Sequence, residues 1–192
     1  MDKKEIIAFF DNLASGWGKT NVRNEEVIAE ILAKGGLKNG AIVLDVACGT
    51  GVLFPDYQKF GADITGIDIS ENMVKTAREK FPDVKIICGD ATDFYFEEKF
   101  DVIMIYNAFP HFDEPGKLIK NLAEALNPHG RLSIAHGISE KELAECHSGC
   151  AKNVSVPLVK KEVLADMLKP YLDVDVMISD DRMYMVSGVK KI

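Results

Sequence analysis

The chain has 192 residues, 47% of them hydrophobic, and a formal net charge of -7 at pH 7. This length suits one domain, and the hydrophobic content is sufficient for a packed core. The acidic balance argues against tight binding to nucleic acids or to anionic membranes. We find no charged start followed by a long apolar run and no stretch long enough to span a bilayer. We therefore expect a cytoplasmic protein without membrane insertion.

The first 36 residues predict two amphipathic helices. The first places Ile6, Phe10 and Leu13 on one face and ends at 16–18. The second carries apolar residues between 27 and 32 and stops at the glycine pair 35–36. We expect this region to cover the rest of the domain as a helical lid.

From residue 41 onwards, strand and helix patterns alternate. Strands are predicted at Ala41–Val46, Ala62–Ile67, Val84–Cys88, Phe100–Tyr106 and Arg131–Ala135. Helices are predicted at Val52–Phe60, with Pro55 in the first turn, and from the N-cap Ser70 to Lys80. A third helix is predicted from the cap Asp113 through Leu118, Leu122 and Leu126, and a turn follows it at 127–130. This alternation predicts a parallel sheet that is covered on both faces.

The C-terminal region has a different pattern. A helix ends before Pro170, and two apolar segments follow at Leu172–Ile178 and Met183–Val189. Strands so close in sequence pair as an antiparallel hairpin, because parallel pairing requires a longer crossover. The irregular segment 137–156 is interpreted as a short helix and loop over the edge of the sheet.

A glycine turn, Ala47–Gly51, follows the first predicted strand of the sheet. Two glycines separated by one residue allow the backbone to turn tightly and to approach a ligand closely. A dinucleotide site would need a third glycine or alanine at position 54. The bulky Phe54 therefore argues against a nicotinamide cofactor.

Carboxylates follow the next two strands, at the edge of an open parallel sheet where ligands bind. The distance along the chain from the glycine turn to Asp68 is near the roughly 20 residues that separate such a turn from the acid that accepts hydrogen bonds from ribose hydroxyls. Asp90 is able to accept a hydrogen bond from an exocyclic amine such as that of adenine. Each acid alone also suits a turn or a helix cap. The glycine turn and the two acids, in this order, favour a nucleoside cofactor.

These motifs resemble those of class I S-adenosylmethionine-dependent methyltransferases. The resemblance is carried by Val43–Gly51, Gly66–Ser70, Gly89–Ala91 and Leu126–Leu132, and it covers roughly residues 40 to 137. Within the class, the chain is most similar to small-molecule enzymes such as the ubiquinone and menaquinone C-methyltransferases. The resemblance implies an α/β, Rossmann-like fold with a seven-stranded, mostly parallel sheet, helices on both faces and an antiparallel last strand.

The resemblance also implies the cofactor S-adenosyl-L-methionine and its contacts. These are Asp45 and the backbone of Ala47, Cys48, Gly49 and Gly51 at the methionine end, Asp68 at the ribose, Ile69 on the adenine, and Asp90 and Ala91 at the adenine edge. Asn107 is expected on the cofactor side or as a residue that fixes its loop. Many family members have glycine where this chain has Ala47. On this interpretation 1–192 is one methyltransferase domain, with a lid at 1–36, a cofactor-binding core at 37–136, a second lid segment at 137–156 and a C-terminal helix and hairpin at 157–192.

The sequence predicts the residues that contact the methyl acceptor less clearly than those that contact the cofactor. His111 and His136 follow the fourth and fifth strands and are predicted to act as a base or an orienting group, although each also suits a structural bond to a backbone carbonyl. Trp17 and His147 are expected near the substrate. The short cluster of Cys146, His147 and Cys150 is not a strong zinc signature, and we predict no metal site.

The predicted reaction is methyl transfer to a small-molecule acceptor by in-line displacement. Three alternatives stay open. The first is a non-catalytic, S-adenosylmethionine-binding regulatory module, which would retain the cofactor motifs. The second is a metalloid or thiol methyltransferase that uses Cys146 and Cys150. The third is RNA methylation, which the acidic charge disfavours. We expect no nucleic-acid partner and either a monomer or a homodimer.

Overall fold

The computed structural model describes residues 2–17, 23–147 and 154–191, without the side chains of Cys146 and His147. Within these residues, seven strands form one sheet. They are β1 (Ile42–Val46), β2 (Asp63–Asp68), β3 (Lys85–Cys88), β4 (Phe100–Tyr106), β5 (Leu126–His136), β6 (Leu172–Ser179) and β7 (Tyr184–Lys190). The spatial order is β3-β2-β1-β4-β5-β7-β6. The strands β1 to β5 pair in parallel, and β7 lies antiparallel between β5 and β6. The predicted fold class is therefore confirmed.

The helices follow the predicted order along the chain. They are α1 (Lys3–Leu13), α2 (Glu25–Lys34), α3 (Phe54–Lys59), α4 (Glu71–Lys80), α5 (Pro115–Ala125), α6 (Glu140–His147) and α7 (Lys161–Leu168), with a short 3-10 turn at Phe109–His111. Ser70 caps α4 as predicted, because its hydroxyl accepts a hydrogen bond from the backbone of Met73. None of the described helices is long and apolar enough to cross a membrane.

The helices pack on both faces of the sheet and form two hydrophobic clusters. Apolar side chains of α5 and α7 cover one face, together with Ile103 and Ile105 of β4. Those of α2, α3 and α4 cover the other face, together with Val102 and Met104. Because β4 is buried on both sides, its sequence is continuously apolar rather than alternating.

The start of α3 packs through Phe54, which is fully buried. Its ring lies over two glycines: a Cβ atom added to Gly51 would lie 2.7 Å from Phe54, and one added to Gly66 would lie 2.8 Å from it. Phe54, the bulky residue that argued against a dinucleotide site, is thus accommodated because the glycines of the turn and of β2 have no side chains. The helix is shorter at both ends than predicted, with Pro55 in its first turn.

Two expectations about α5 are wrong. The N-cap is Glu114 rather than Asp113, without a side-chain hydrogen bond, and Pro115 begins the helix with its fixed backbone angle. Leu126 is not helical: its backbone is extended, and it pairs with Phe100 as the first residue of β5. Residues 127–130, where a turn was expected, belong to β5 and lie where its pairing with β4 shifts in register.

Candidate functional site

A cavity of about 400 Å³ lies at the carboxyl ends of the parallel strands. Loop residues 47–52, 67–69, 89–92 and 106–108 line it from β1, β2, β3 and β4, respectively. The helix α1 contributes further lining residues, so the cavity lies between the strand ends and the N-terminal helix. This is where parallel sheets bind their ligands.

The glycine turn has a backbone that most residues do not adopt. Ala47, Gly49 and Gly51 all have positive φ, of 54°, 55° and 83°. For Ala47 this conformation costs roughly 1–2 kcal/mol, which glycine would avoid. The backbone amide of Gly49 donates to Asp68 Oδ2 at 2.8 Å, and that of Cys48 donates to the carbonyl of Ile67 at 3.1 Å. The turn is thereby held against the end of β2.

Asp68 lies in the lining of the cavity, and its two oxygens are both hydrogen-bonded. Besides Gly49, the backbone amide of Ser70 donates to Asp68 Oδ1 at 2.9 Å. Burial raises the pKa of Asp68, and the backbone amides of Ser70 and Gly49 offset part of that effect. Ile69 and Ala47 also line the cavity beside it. Their predicted contacts with a cofactor are compatible with this arrangement and stay predictions.

Asp45 is 2% exposed and does not belong to the lining of the cavity within the described residues. Its Oδ2 atom is buried without a hydrogen-bond partner in the part of the chain that the structure describes. Burial raises the pKa of Asp45 well above its usual value, and the charge of Asp68 raises it further. The predicted contact of Asp45 with a cofactor stays a prediction, because its carboxylate is buried away from the lining of the cavity.

Asp90 and Ala91 line the cavity at the end of β3. The backbone amide of Thr92 donates to Asp90 Oδ1 at 2.9 Å, and the Lys3 ammonium lies 2.8 Å from Asp90 Oδ2. Burial alone would raise the pKa of Asp90, but the bonds from Lys3 and Thr92 outweigh burial and lower it. The side-chain amide of Asn121 donates to the carbonyl of Ala91 at 2.8 Å, which fixes this loop.

Lys3 was missed by the sequence reasoning. It is one of the lysines at the start of an amphipathic helix, and such lysines are usually solvated. Only its position on the cavity side of α1 distinguishes it from its neighbour Lys4.

Asn107, which has a φ of 56°, connects the end of β4 to the end of β5 through hydrogen bonds. Its backbone amide donates to the carbonyl of Ala135, and its side-chain oxygen accepts from the amide of Gly137, both at 2.9 Å. Asn107 therefore fixes its loop, and it also lines the cavity. Its predicted contact with the cofactor stays a prediction.

Tyr106 also lines the cavity and was not singled out from the sequence. A Cβ atom at Gly137 would lie 2.2 Å from the Tyr106 hydroxyl, so the absent side chain makes room for the phenol. Burial raises the pKa of Tyr106, and a hydrogen bond from Asn107 lowers it in part. The phenol therefore stays protonated at neutral pH and can donate a hydrogen bond. Its position at the end of a predicted strand was the signal in the sequence that could have identified Tyr106 as a cavity residue.

The two histidines that were predicted as catalytic occupy different surroundings. His111 lines the cavity, its Nδ1 lies 2.7 Å from the carbonyl of Val154, and its ring meets Phe10 edge-on at 4.9 Å. His136 is fully buried, meets Tyr184 edge-on at 6.0 Å, and is not among the described residues that line the cavity. A catalytic role for His136 stays a prediction, but in this geometry the ring does not reach the cavity.

The aromatic residues of the N-terminal region close the cavity. Trp17 lines it, and its ring lies 5.8 Å from that of Phe10. A Cβ atom at Gly49 would lie 3.6 Å from the Trp17 indole nitrogen, so the indole lies over the glycine turn. The predicted substrate role of Trp17 stays a prediction.

Arg23 lines the cavity as well and was not predicted. Its guanidinium forms ion pairs with Glu25 and Asp56 and donates to the carbonyl of Val52. These bonds tie the segment before α2 to the start of α3. Because two carboxylates already neutralise it, Arg23 is better suited to holding the cavity wall than to binding an anion.

The short helix predicted in the segment 137–156 is present as α6, whereas the cysteine and histidine predictions in that segment lie outside the described side chains. The side chains of His147 and Cys146 and the whole of Cys150 are outside it. Among the described residues, no group of three or more His, Cys, Asp or Glu side chains is arranged to hold a metal ion.

Comparison with known sequences gives consistent matches. The family described as "Methyltransferase domain" matches residues 44–134. The chain is 31% identical over 146 residues to a demethylmenaquinone methyltransferase of Renibacterium salmoninarum, which covers 70% of this chain and 60% of that protein. It is 31% identical over 151 residues to a ubiquinone biosynthesis O-methyltransferase of Coxiella burnetii, which covers 67% and 60%, respectively. The chain thus spans about 60% of the length of these curated relatives.

Solved structures share the fold at low sequence identity. The magnesium protoporphyrin IX methyltransferase ChlM from Synechocystis PCC 6803, solved with bound S-adenosylmethionine, superposes with a TM-score of 0.72 at 18% identity, covering 100% of this chain and 98% of that one. The PH0226 protein of Pyrococcus horikoshii superposes with a TM-score of 0.70 at 24% identity, covering 86% and 89%. These likenesses show the shared fold. The sequence matches show that the chain belongs to the class I S-adenosylmethionine-dependent methyltransferases, among relatives of the menaquinone and ubiquinone methyltransferases.

Proposed function

We propose that this chain transfers a methyl group from S-adenosylmethionine to a small-molecule acceptor. The observation that carries the proposal is the meeting of the glycine turn, Asp68 and Asp90 around one cavity at three neighbouring strand ends. The relatives named above are methyltransferases, and their names refer to small molecules. Because the chain spans only part of their length, the activity and the acceptor are proposals for this chain.

The residues around the cavity suit the chemistry of an adenosyl cofactor. Two carboxylates of the lining are able to accept hydrogen bonds from hydroxyl and amine donors, and the cavity of about 400 Å³ is of the size that small-molecule sites have. Gly49 and Gly51 have no side chains at the turn, which allows a ligand to approach the backbone closely.

We assign the cofactor contacts to the chain's own groups as follows. Asp68 would accept from the ribose hydroxyls, Asp90 would accept from the adenine amine, and Ile69 would pack on the adenine. The turn around Gly49, together with Asp45, would hold the methionine end. When bound, the cofactor supplies a methyl group that is already activated on a sulfonium. The protein's remaining tasks are therefore to align the acceptor and to exclude water.

The acceptor would lie beside the methyl group, between the end of β4 and the N-terminal region. His111 would act as a base or an orienting group, Tyr106 would donate a hydrogen bond, and Trp17 with Phe10 would exclude water from the cavity. A base is needed only if the acceptor loses a proton. His136 and His147 stay predictions for the acceptor side, as do a cytoplasmic location and a monomeric or homodimeric state.

The proposal is tested with labelled cofactor. The protein is incubated with S-adenosylmethionine that carries an isotopically labelled methyl group and with the small-molecule fraction of a cell extract, and labelled products are identified by mass spectrometry. We expect a discrete labelled metabolite, and we expect none with the Asp68→Ala variant. Binding of S-adenosylmethionine without any product would favour the regulatory module. If calorimetry detects no binding, a cofactor role for this cavity is wrong.

A further inference from the structure

The helix α1 reaches the cavity at the end where Asp90 is predicted to read adenine. Its Lys3 ammonium lies 2.8 Å from Asp90 Oδ2, 3.6 Å from Asp93 Oδ2 and 4.0 Å from Glu114 Oε2. Lys3 and Asp90 have side chains that are 37% and 21% exposed, so this ion pair is partly shielded from water. Both residues line the cavity.

The surroundings of Asp90 are acidic. Asp93, Asp113 and Glu114 all lie near enough to Lys3 to attract it or to pair with it. The other lysine of this group, Lys117, pairs with Asp93 and Glu114. Lys3 is therefore the cation that contacts Asp90 directly among the described residues, and its removal would leave that carboxylate facing other negative charges.

The other end of α1 is tied beside the second predicted cofactor carboxylate. Asp11 Oδ1 accepts from the Ser70 hydroxyl at 2.5 Å and from the backbone amide of Asn72 at 3.1 Å. The backbone amide of Ser70 in turn donates to Asp68. Between its two ends, α1 places Phe10 in the lining of the cavity. The helix thus crosses the cavity from the ribose carboxylate to the adenine carboxylate.

We propose that Lys3 is a positioning residue for Asp90: its ammonium holds the carboxylate in place for the adenine amine and thereby docks α1 over the bound cofactor. Asp90 Oδ2 has lone pairs for two donors, so the bond from Lys3 leaves room for the amine. The inference rests on the proposed function, because it requires the cofactor in this cavity.

Calorimetry with S-adenosylhomocysteine tests the inference. Lys3→Ala is expected to raise the Kd about fivefold at low salt, and Lys3→Arg to restore most of the affinity, because a partly shielded ion pair is lost in the first variant and kept in the second. The difference between wild type and Lys3→Ala should shrink at about 0.5 M NaCl, because salt screens the pair. The matched control is Lys4→Ala, which removes an exposed lysine of the same helix and should leave the Kd unchanged.

A double-mutant cycle separates positioning from simple helix packing. In the Asp90→Asn background, Lys3→Ala should have little further effect on the Kd, since Lys3 acts through the carboxylate. Trp17 is the sole tryptophan of the chain and lines the cavity, so its fluorescence can follow release of S-adenosylhomocysteine. We expect release to be several-fold faster from Lys3→Ala than from wild type.

The outcomes distinguish this inference from the proposed function. If wild type binds S-adenosylhomocysteine and Lys3→Ala binds it equally well and releases it equally fast, Lys3 has no positioning role while the cofactor site stands. If the effect of Lys3→Ala persists in full in the Asp90→Asn background, Lys3 acts on helix packing and the inference is overturned. If wild type does not bind S-adenosylhomocysteine, the proposed function and the inference both fail.

Discussion

The two halves of the cavity are built in different ways. The half that we propose to hold the cofactor consists of a backbone turn after β1 and of carboxylates at the ends of β2 and β3, which are neighbours in the sheet. The half that we propose to hold the acceptor consists of side chains from distant parts of the sequence, such as Phe10, Trp17, Tyr106 and His111. The first half depends on local backbone geometry, whereas the second depends on how separate segments pack together.

This difference determines where substitutions should act. In the cofactor half, a single added methyl group or a lost carboxylate changes the backbone turn or its hydrogen bonds. In the acceptor half, a polar atom can be removed without disturbing the cofactor contacts. The following substitutions test this contrast, from the largest expected effect to the smallest.

Gly51→Ala should have the largest effect, on stability. A Cβ atom there would lie 2.7 Å from Phe54 and 2.8 Å from Phe81, at a φ of 83°. Backbone strain and overpacking together should lower the free energy of unfolding by about 3 kcal/mol, measured by urea denaturation. The matched control is Gly40→Ala, at a φ of 71° with no atom within 4 Å of the added Cβ. It should cost only the strain, about 1 kcal/mol, and equal losses in the two variants would contradict the packing account.

Asp68→Ala should act on cofactor affinity. Asp68 holds the glycine turn through Gly49 and is the predicted ribose acceptor. Loss of hydrogen bonds to a charged group should raise the Kd for S-adenosylhomocysteine about 100-fold in calorimetry. Asp63→Ala, at the exposed start of the same strand, is the control and should bind normally. Comparable Kd values for both variants would remove Asp68 from the cofactor site.

Asp45→Asn should change how stability depends on pH. Burial raises the pKa of Asp45 in the folded state, so above the pKa of the unfolded chain the folded state binds the additional proton. The free energy of unfolding therefore falls as the pH rises from about 4 towards the folded pKa. The asparagine variant lacks this contribution, so its unfolding free energy should fall less between pH 5 and pH 8, measured by urea denaturation at each pH. An unchanged slope would mean that Asp45 gains a compensating partner.

Tyr106→Phe should have the smallest effect on the cofactor half. Tyr106 belongs to the half that we propose to hold the acceptor, so the Kd for S-adenosylhomocysteine should stay within about twofold of wild type. Once the acceptor is identified, the same variant should lower kcat/KM for it about tenfold, as expected for one lost hydrogen bond. A large loss of cofactor affinity would instead show that the two halves are coupled through Asn107.

The sequence by itself determined the class of fold and which residues stand at the ends of the strands. Alternating apolar strands and helices predict a parallel sheet, and the residues that follow each strand are known once the strands are known. The glycine turn, Asp68 and Asp90 were therefore predicted to meet at one edge of the sheet without any tertiary information, because a strand end is a local property. The boundaries of α3 and α5 were less accurate, since Phe54 packing and the register of Leu126 depend on other strands.

Only the tertiary structure decided which side chains at the strand ends face the cavity. The sequence places both His111 and His136 near the ends of apolar strands, yet His136 pairs across the sheet with Tyr184 of β7 and is fully buried, whereas His111 lines the cavity. The contact of Lys3 with Asp90 likewise joins residues far apart in the chain. Burial and contacts of this kind depend on which distant elements cover a residue, and no local pattern encodes that packing.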